Sequence, residues 1–264
     1  MIAGVRPILV VALILAAACG ARGQPSPEPD RSSMAARDDL DPTGEPDADL
    51  DPYLAARRVL VEQELRGGQV DDPRVFAAML AVPRHRFVPV ELRELAYEDR
   101  PLPIGYDVTI SQPFIVALMT QLADVQPGER VLEVGTGSGY QAAVLAELGA
   151  EVYTIERIGP LAERSASVLA ELGYAQVHVR HGDGFLGWPE QAPFDAIVLT
   201  AAPERIPPVL VDQLELGGRL VAPIGAEHGV QQLVVAERTA TGLRKRHVVD
   251  VAFVPMLPGV AENP

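Results

Sequence analysis

One stretch, Val131–Tyr140 with the sequence VLEVGTGSGY, constrains the fold of this chain more than any other. A short hydrophobic run leads into a glycine-rich turn, and an Ala/Leu-rich segment, Gln141–Leu148, follows. A buried strand, a tight turn and a helix in this order form a cradle for a nucleotide-like cofactor, because glycine lets a ligand approach the backbone closely. The candidate cofactor-binding residues of this turn are Gly135, Thr136, Gly137, Ser138 and Gly139.

Further candidate residues follow the next strands of the same predicted unit. Glu156 ends the second apolar segment, where an acidic side chain can hold the two ribose hydroxyls of a nucleotide. Asp183 and Gly184 follow the third strand within a Gly-Asp-Gly turn. Because parallel strands end at the same edge of a sheet, we expect these residues to meet the glycine turn there.

Alternating strand and helix patterns begin at Arg130. They predict strands at Arg130–Val134, Glu151–Glu156, Gln176–His181, Phe194–Thr200, Gly218–Pro223, Gln231–Glu237 and Lys245–Val254, and helices at Tyr140–Leu148, Pro160–Leu172 and Pro207–Leu214. Strands separated by helices or helix-length connections predict an α/β fold with a doubly wound, mostly parallel seven-stranded sheet. The short break between the last two strands predicts an antiparallel hairpin at the C-terminal edge.

Residues 52–264 are predicted to form one domain, in which residues 52–110 are an N-terminal helical cap. Helices are expected at Tyr53–Leu65, Arg74–Ala81 and Pro89–Tyr97, followed by a turn-rich loop at Pro101–Ile110 and a longer helix at Phe114–Ala123.

The first 51 residues differ in composition from the rest of the chain. Residues 1–19 combine Arg6, an apolar run and small residues before Cys19, a pattern typical of a secretory leader too short to span a membrane. A cysteine at this place resembles the bacterial lipoprotein signal, in which the cysteine carries the lipid. Residues 20–51 are acidic and poor in large apolar side chains, which predicts a disordered tether. We therefore expect a lipoprotein anchored in a membrane through Cys19, on the periplasmic side or at the cell surface; the alternative is a cytoplasmic protein translated from Met34.

Charge and residue content disfavour several classes of protein. The net charge of −14 argues against a nucleic-acid partner, because phosphate binding needs a basic surface. Cys19 is the single cysteine, so an intrachain disulfide is excluded. Among the histidines only His178 and His181 lie close in sequence, and on a strand their spacing places them on opposite faces, so we predict no metal site.

An ordered set of segments resembles the protein-L-isoaspartate O-methyltransferases, a family of class I S-adenosylmethionine-dependent methyltransferases. The set includes Val82-Pro83-Arg84, LPIGYDVTISQPFIVALMTQL (Leu102–Leu122), VLEVGTGSGYQAA, Glu156-Arg157, Gly182-Asp183-Gly184 and QLELGGRLVAPIG (Gln213–Gly225). The resemblance covers Leu54–Pro258. One departure is Asp107-Val108, where the family commonly has Gly-Gln.

This resemblance implies a Rossmann-like methyltransferase fold, S-adenosyl-L-methionine as cofactor, and methyl esterification of L-isoaspartyl carboxylates in damaged proteins and peptides. It marks Ser111 as the active-site residue, with Thr109 and Ile110 beside it in the substrate loop. The serine hydroxyl would orient the substrate carboxylate rather than attack as a nucleophile. The glycine turn would hold the methionine and ribose parts of the cofactor, Glu156 the ribose hydroxyls and Asp183 the adenine amino group. We expect a monomer.

Each site residue also has a purely structural interpretation. Ser111 before Gln-Pro is a good helix N-cap, and the glycines fit ordinary turns. The basic triplet Arg84–Arg86 is interpreted as solvated surface, and Trp188 as a packing residue. Three other functions stay open. An NAD-dependent oxidoreductase conflicts with the GxGxG spacing, and a nucleic-acid methyltransferase conflicts with the segment Thr200–Pro203, which lacks an Asn/Asp-Pro-Pro-aromatic motif. An exported binding protein without turnover is the third.

Overall fold

The structure is a computed structural model that describes residues 51–66, 68–226 and 229–261. The predicted leader, the predicted lipid attachment at Cys19 and the tether up to residue 50 lie outside these ranges. Within them, no helix has both the length and the apolar character needed to cross a membrane.

An N-terminal cap precedes the main sheet. It comprises helix α1 (Leu54–Val59) with a π-helical continuation (Leu60–Leu65), helix α2 (Pro73–Ala81), two 3-10 segments (Arg84–Phe87 and Val90–Leu95), strands β1 (Leu102–Gly105) and β2 (Val108–Ile110), and helix α3 (Pro113–Ala123). The prediction of a loop at Pro101–Ile110 is wrong, because β1 and β2 pair as an antiparallel hairpin. The hairpin forms because Tyr106 and Asp107 both adopt the left-handed conformation, with φ of 56°, that a tight two-residue turn requires.

The main sheet has seven strands. They are β3 (Arg130–Val134), β4 (Glu151–Glu156), β5 (Val177–His181), β6 (Phe194–Leu199), β7 (Leu214–Ile224), β8 (Gln231–Thr239) and β9 (Gly242–Val251), in the spatial order β5-β4-β3-β6-β7-β8-β9. Strands β3 to β7 pair in parallel, and β8 and β9 add to the β7 edge in antiparallel fashion. This confirms the predicted doubly wound sheet and its edge hairpin. Strand β7 begins earlier than predicted, because Leu214 pairs with Phe194 ahead of a register shift.

Side chains are buried on both faces of this sheet. Along β3, Val131 packs in one hydrophobic cluster and Leu132 in the other, since successive side chains of a strand point to opposite faces. The first cluster includes the cap and the longer helices α3, α4 (Tyr140–Glu147) and α5 (Gly159–Glu171). The second includes the short helix α6 (Pro208–Gln213), and Trp188 packs against it with its ring edge to Tyr153, as predicted.

The order of the strands identifies one place for a ligand. From β3 the chain proceeds to β4 and β5 on one side, whereas β6 and β7 lie on the other side of β3. Ligands of open α/β sheets bind at the carboxyl ends of the strands where the winding reverses in this way. The glycine turn, which directly follows β3, lies at this point.

Candidate active site

A cavity of about 370 Å³ lies at the carboxyl ends of β3, β4 and β6. This volume is within the range of small-molecule sites. Four stretches distant in sequence line most of it: residues 106–111 of the cap, the glycine turn, residues 155–158 at the end of β4, and residues 254–257. The structure thus brings the predicted substrate loop and most of the predicted cofactor turn onto one cavity.

The glycine turn has a backbone that L side chains rarely adopt. Gly135 has φ of 102°, and a Cβ atom built on it would lie 2.4 Å from Oγ1 of Thr200. That hydroxyl lies 2.5 Å from the carbonyl of Gly135 and 3.1 Å from that of Val134 and shares its one proton between them, so its displacement would cost a hydrogen bond. Gly137 also lines the cavity, whereas Gly139 faces α5, where its Cβ would lie 3.2 Å from Leu169. The turn therefore presents its backbone to the cavity at residues 135–138.

Glu156 is buried at the end of β4 and lines the cavity. Its Oε2 accepts a hydrogen bond from the Gly137 amide at 2.9 Å, and its Oε1 accepts one from Ile158 at 3.0 Å. These two bonds fix the carboxylate against the glycine turn. A carboxylate has about four acceptor sites, so it keeps capacity for hydroxyl donors of a ligand.

Asp183 has a different position from the one expected of an adenine ligand. Its Oδ1 accepts from the Phe185 amide at 2.9 Å, and its Oδ2 accepts from the Gly259 amide at 2.8 Å. The neighbouring Gly184 lines the cavity instead, packed so closely on Val134 that a Cβ would lie 2.3 Å from its Cγ1. Both oxygens of Asp183 thus hold backbone, and its contact with adenine stays a prediction.

Glu133 is a cavity residue that sequence reasoning missed. It is fully buried within β3, where Oε2 accepts a hydrogen bond of 2.5 Å from Thr154 and Oε1 has no partner. Burial raises the pKa of Glu133 to about 8, and the negative charge of Glu156 contributes to the rise. An acid inside an otherwise apolar strand was the available signal, because such a residue is seldom buried without a function.

Ser111 lines the cavity, but it does not cap the following helix. The N-cap of α3 is Gln112, which makes no capping bond through its side chain. Asp99 takes this place: its Oδ1 accepts from the Phe114 amide at 2.8 Å, and its Oδ2 accepts from Nε2 of Gln112 at 2.7 Å. The interpretation of Ser111 as an N-cap is therefore wrong, because a carboxylate from the cap supplies that hydrogen bond.

Because Asp99 caps α3 and Ser111 does not, replacing the two residues should have different effects on stability. Replacement of Asp99 by Ala is expected to lower the free energy of unfolding by about 1–2 kcal/mol, because it removes the cap of α3. Ser111→Ala is expected to change it by less than roughly 0.5 kcal/mol, as for a substitution away from such features. Urea unfolding of both variants measures the two changes in free energy of unfolding. Equal decreases in the two variants would indicate that Ser111 also caps α3.

The basic triplet also differs from its expected place on the surface. Arg84 is fully buried beneath the substrate loop, with its guanidinium 4.8 Å from the ring centroid of Tyr140. Arg86 remains partly exposed and pairs with Glu171. The interpretation as solvated surface is therefore wrong for Arg84, because that side chain packs inward from a 3-10 segment.

The segment after β9 closes the cavity. Met256 donates its amide to the carbonyl of Ala202, and Ala202 donates to the carbonyl of Val254, both at 2.8 Å. Ala261 then donates to the carbonyl of Arg157 at 2.8 Å. Residues 254–257 are thereby held as a wall across the ends of β4 and β6. In the described part of the chain, no group of three acidic, His or Cys side chains is arranged to hold a metal ion.

A mostly parallel seven-stranded sheet, a glycine turn after β3 and an acid at the end of β4 define a Rossmann-like methyltransferase. A solved structure from Plasmodium falciparum, a putative protein-L-isoaspartate O-methyltransferase in complex with S-adenosyl-L-homocysteine, has this fold. It matches with a TM-score of 0.68 and 29% identity, over 76% of this chain and 98% of the other.

The chain belongs to the protein-L-isoaspartate(D-aspartate) O-methyltransferase (PCMT) family, whose model matches residues 55–261. A protein-L-isoaspartate O-methyltransferase of Gloeobacter violaceus is 57% identical over 197 residues, which are 75% of this chain and 96% of the relative. A protein-L-isoaspartate O-methyltransferase 2 of an Anaeromyxobacter species is 55% identical over 216 residues, or 82% and 89% of the two chains. The predicted family is confirmed.

Proposed function

We propose that this chain transfers a methyl group from S-adenosyl-L-methionine to L-isoaspartyl carboxylates of damaged proteins, the activity for which its relatives are named. One observation carries the proposal. The glycine turn and the substrate loop ending at Ser111 line the same cavity, although they are separate in sequence.

The residues of the cavity fit the cofactor. The missing Cβ of Gly135 lets the Thr200 hydroxyl pack against the turn, and the turn in this conformation lines the cavity with residues 135–138. Glu133 offers a buried carboxyl oxygen without a partner, which suits the ammonium group of an amino-acid moiety. Glu156 offers acceptor sites for ribose hydroxyls at the end of the next strand.

The chemistry requires positioning more than proton transfer. When bound, S-adenosylmethionine supplies an electrophilic methyl group on a sulfonium sulfur, and no acid is needed to assist its departure. An isoaspartyl carboxylate is already ionised at neutral pH, so no general base is needed either. The protein must hold the carboxylate oxygen in line with the methyl group and exclude water. Such positioning can lower the activation free energy by roughly 7–11 kcal/mol.

We propose that Ser111 orients the substrate carboxylate. Among the residues that the structure describes, no group holds its hydroxyl by a hydrogen bond, and the residue lines the cavity. Ser111→Ala is expected to lower kcat/KM for an isoaspartyl peptide by roughly 10- to 100-fold, because a hydrogen bond to a charged group contributes about 1.5–3 kcal/mol. The affinity for S-adenosylhomocysteine, measured by calorimetry, is expected to be unchanged. Parallel losses of turnover and affinity would contradict this role.

The decisive assay uses radiolabelled S-adenosylmethionine with matched isoaspartyl and aspartyl peptides. Transfer to the isoaspartyl peptide alone is the expected result. Equal transfer to both peptides would refute the proposal. Binding of S-adenosylhomocysteine without any transfer would instead support the alternative, an exported binding protein without turnover. Titration of the protein with NAD tests the oxidoreductase alternative, and we expect NAD not to bind.

We also propose that the protein is a lipoprotein held in a membrane through Cys19, on the periplasmic side or at the cell surface. The apolar run before the small residues and Cys19 supports this proposal. Globomycin-sensitive lipid labelling that is lost in Cys19→Ser is the expected result. A native N-terminus at Met34 would indicate the cytoplasmic alternative.

The protein is proposed to act as a monomer on other proteins and not on nucleic acid. The net charge of −14 supports the second point, since a phosphate backbone would be repelled. Light scattering after size-exclusion chromatography measures the first.

A further inference from the structure

Arg84 connects three parts of the molecule that are distant in sequence. Its Nε donates a hydrogen bond to the carbonyl of Ala96 at 2.8 Å, and its Nη2 donates to the carbonyl of Ser111 at 2.8 Å. Its guanidinium also lies over the ring of Tyr140, the first residue of α4 after the glycine turn. One side chain therefore contacts the cap, the substrate loop and the start of the cofactor helix.

The ring that Arg84 contacts is itself fixed. Tyr140 is buried, its hydroxyl lies 3.6 Å from the sulfur of Met79, and Phe87 packs edge-on against its ring at 5.6 Å. Tyr140 also lines the cavity beside the glycine turn. The guanidinium of Arg84 therefore has a fixed position relative to the glycine turn, because it stacks on this ring.

Arg84 does not have the environment of a stabilising ion pair. In the described part of the chain no carboxylate lies within salt-bridge distance of it, and its buried Nη1 has no partner. Burial lowers the pKa of Arg84 to about 10, which shows the cost of keeping this cation in the interior. The planar guanidinium of Arg has donors in fixed directions, which the ammonium group of Lys lacks.

We propose that Arg84 is a positioning residue that sets the location of Ser111 relative to the cofactor turn. It acts through the carbonyl of Ser111 on one side and the ring of Tyr140 on the other, and its own side chain does not line the cavity. This inference rests on the proposed function, because it assigns a purpose to the placement of Ser111.

The test compares Arg84→Lys with Arg57→Lys. Arg57 is the control: it is also buried in the cap and donates to the carbonyl of Leu80 at 2.8 Å and to the hydroxyl of Tyr97 at 3.2 Å. It differs from Arg84 in pairing with Asp51 and in having no hydrogen bond to Ser111. For Arg84→Lys we expect kcat for an isoaspartyl peptide to fall about 100-fold, as misplacement by about 1 Å does. The Kd of Arg84→Lys for S-adenosylhomocysteine should stay within about threefold of the wild-type value. Arg57→Lys should lose about as much Tm as Arg84→Lys and keep kcat within about threefold of the wild type.

Each outcome bears on one claim. An equal fall of kcat in the two variants, or a fall in Arg84→Lys matched by its loss of S-adenosylhomocysteine affinity, overturns the positioning role. Failure of both Arg84→Lys and Arg84→Gln to fold and bind S-adenosylhomocysteine also overturns it, in favour of a purely structural role. Absence of isoaspartyl methylation by the wild-type protein refutes the proposed function instead.

Discussion

Gly135→Ala is expected to abolish measurable binding of S-adenosylhomocysteine and to lower the free energy of unfolding by roughly 2–4 kcal/mol. The new Cβ would lie 2.4 Å from Oγ1 of Thr200, and the residue would keep a φ of 102°. The clash displaces a hydroxyl that bonds two carbonyls of the turn, so the backbone facing the cavity must shift. Calorimetric titration and urea unfolding measure the two effects.

Two further variants separate strain from clash in this experiment. Gly149→Ala is the matched control, because Gly149 has φ of 86° and close neighbours in Pro127 but lies outside the cavity. It should lose stability and keep S-adenosylhomocysteine binding. Adding Thr200→Ala to Gly135→Ala should recover part of the lost stability by removing the clashing atom. Normal binding by Gly135→Ala alone would show that the cofactor does not depend on this turn.

Glu133→Gln is expected to weaken binding of S-adenosylhomocysteine by roughly 10- to 100-fold, because a hydrogen bond to a charged group contributes about 1.5–3 kcal/mol. The amide keeps the shape of the side chain and removes its ability to become an anion. The ammonium of the ligand's amino-acid part is the group that a buried carboxylate would complement. Unchanged affinity would exclude this contact.

The pKa of Glu133 gives this prediction a second readout. With a pKa of about 8 instead of 4.5, the carboxyl of the ligand-free protein is mostly protonated at pH 7. A cation placed beside it favours the carboxylate, so binding should release up to one proton near pH 7. Calorimetry in buffers of different ionisation enthalpy measures this release, and it should vanish in Glu133→Gln. Equal release by both proteins would locate the proton elsewhere.

Stability should follow the same pKa with a defined sign. The folded-state pKa of Glu133 lies above its unfolded value, so the folded protein binds the extra proton between about pH 4.5 and 8. The contribution of this group to the free energy of unfolding therefore falls as pH rises through that window. Glu133→Gln should flatten the profile and be more stable than the wild type near pH 8. Urea unfolding without ligand, at several pH values, provides the measurement.

Much of the fold could be predicted because it depends on local patterns. Apolar runs alternating with amphipathic segments identified the seven strands, and the short break before β9 identified the edge hairpin. The position of the glycine turn and Glu156 at one edge of the sheet could be predicted because both follow the ends of parallel strands, and their contacts with the cofactor stay predictions. The hairpin β1–β2 was missed, since Tyr106 and Asp107 are not the residues that usually close such a turn.

The contacts that complete the site could not be predicted, because they join residues far apart in the chain. Arg84 lies next to two other basic residues, and this pattern predicts a solvated surface. In the folded protein the side chain is buried by the cap. Asp99 replaces Ser111 as the cap of α3 through a contact that no local pattern encodes. The acid within an apolar strand is a signal for Glu133 in the sequence, but strand periodicity does not show whether a buried acid finds a partner.

The wall formed by residues 254–257 has a consequence for the lifetime of a bound ligand. Backbone hydrogen bonds to Ala202 hold this segment, and the strands of the sheet pair without it. Local opening of such a segment can occur without unfolding of the sheet. We therefore expect the rate at which a ligand leaves the cavity to follow the opening of this segment and not the global stability of the protein.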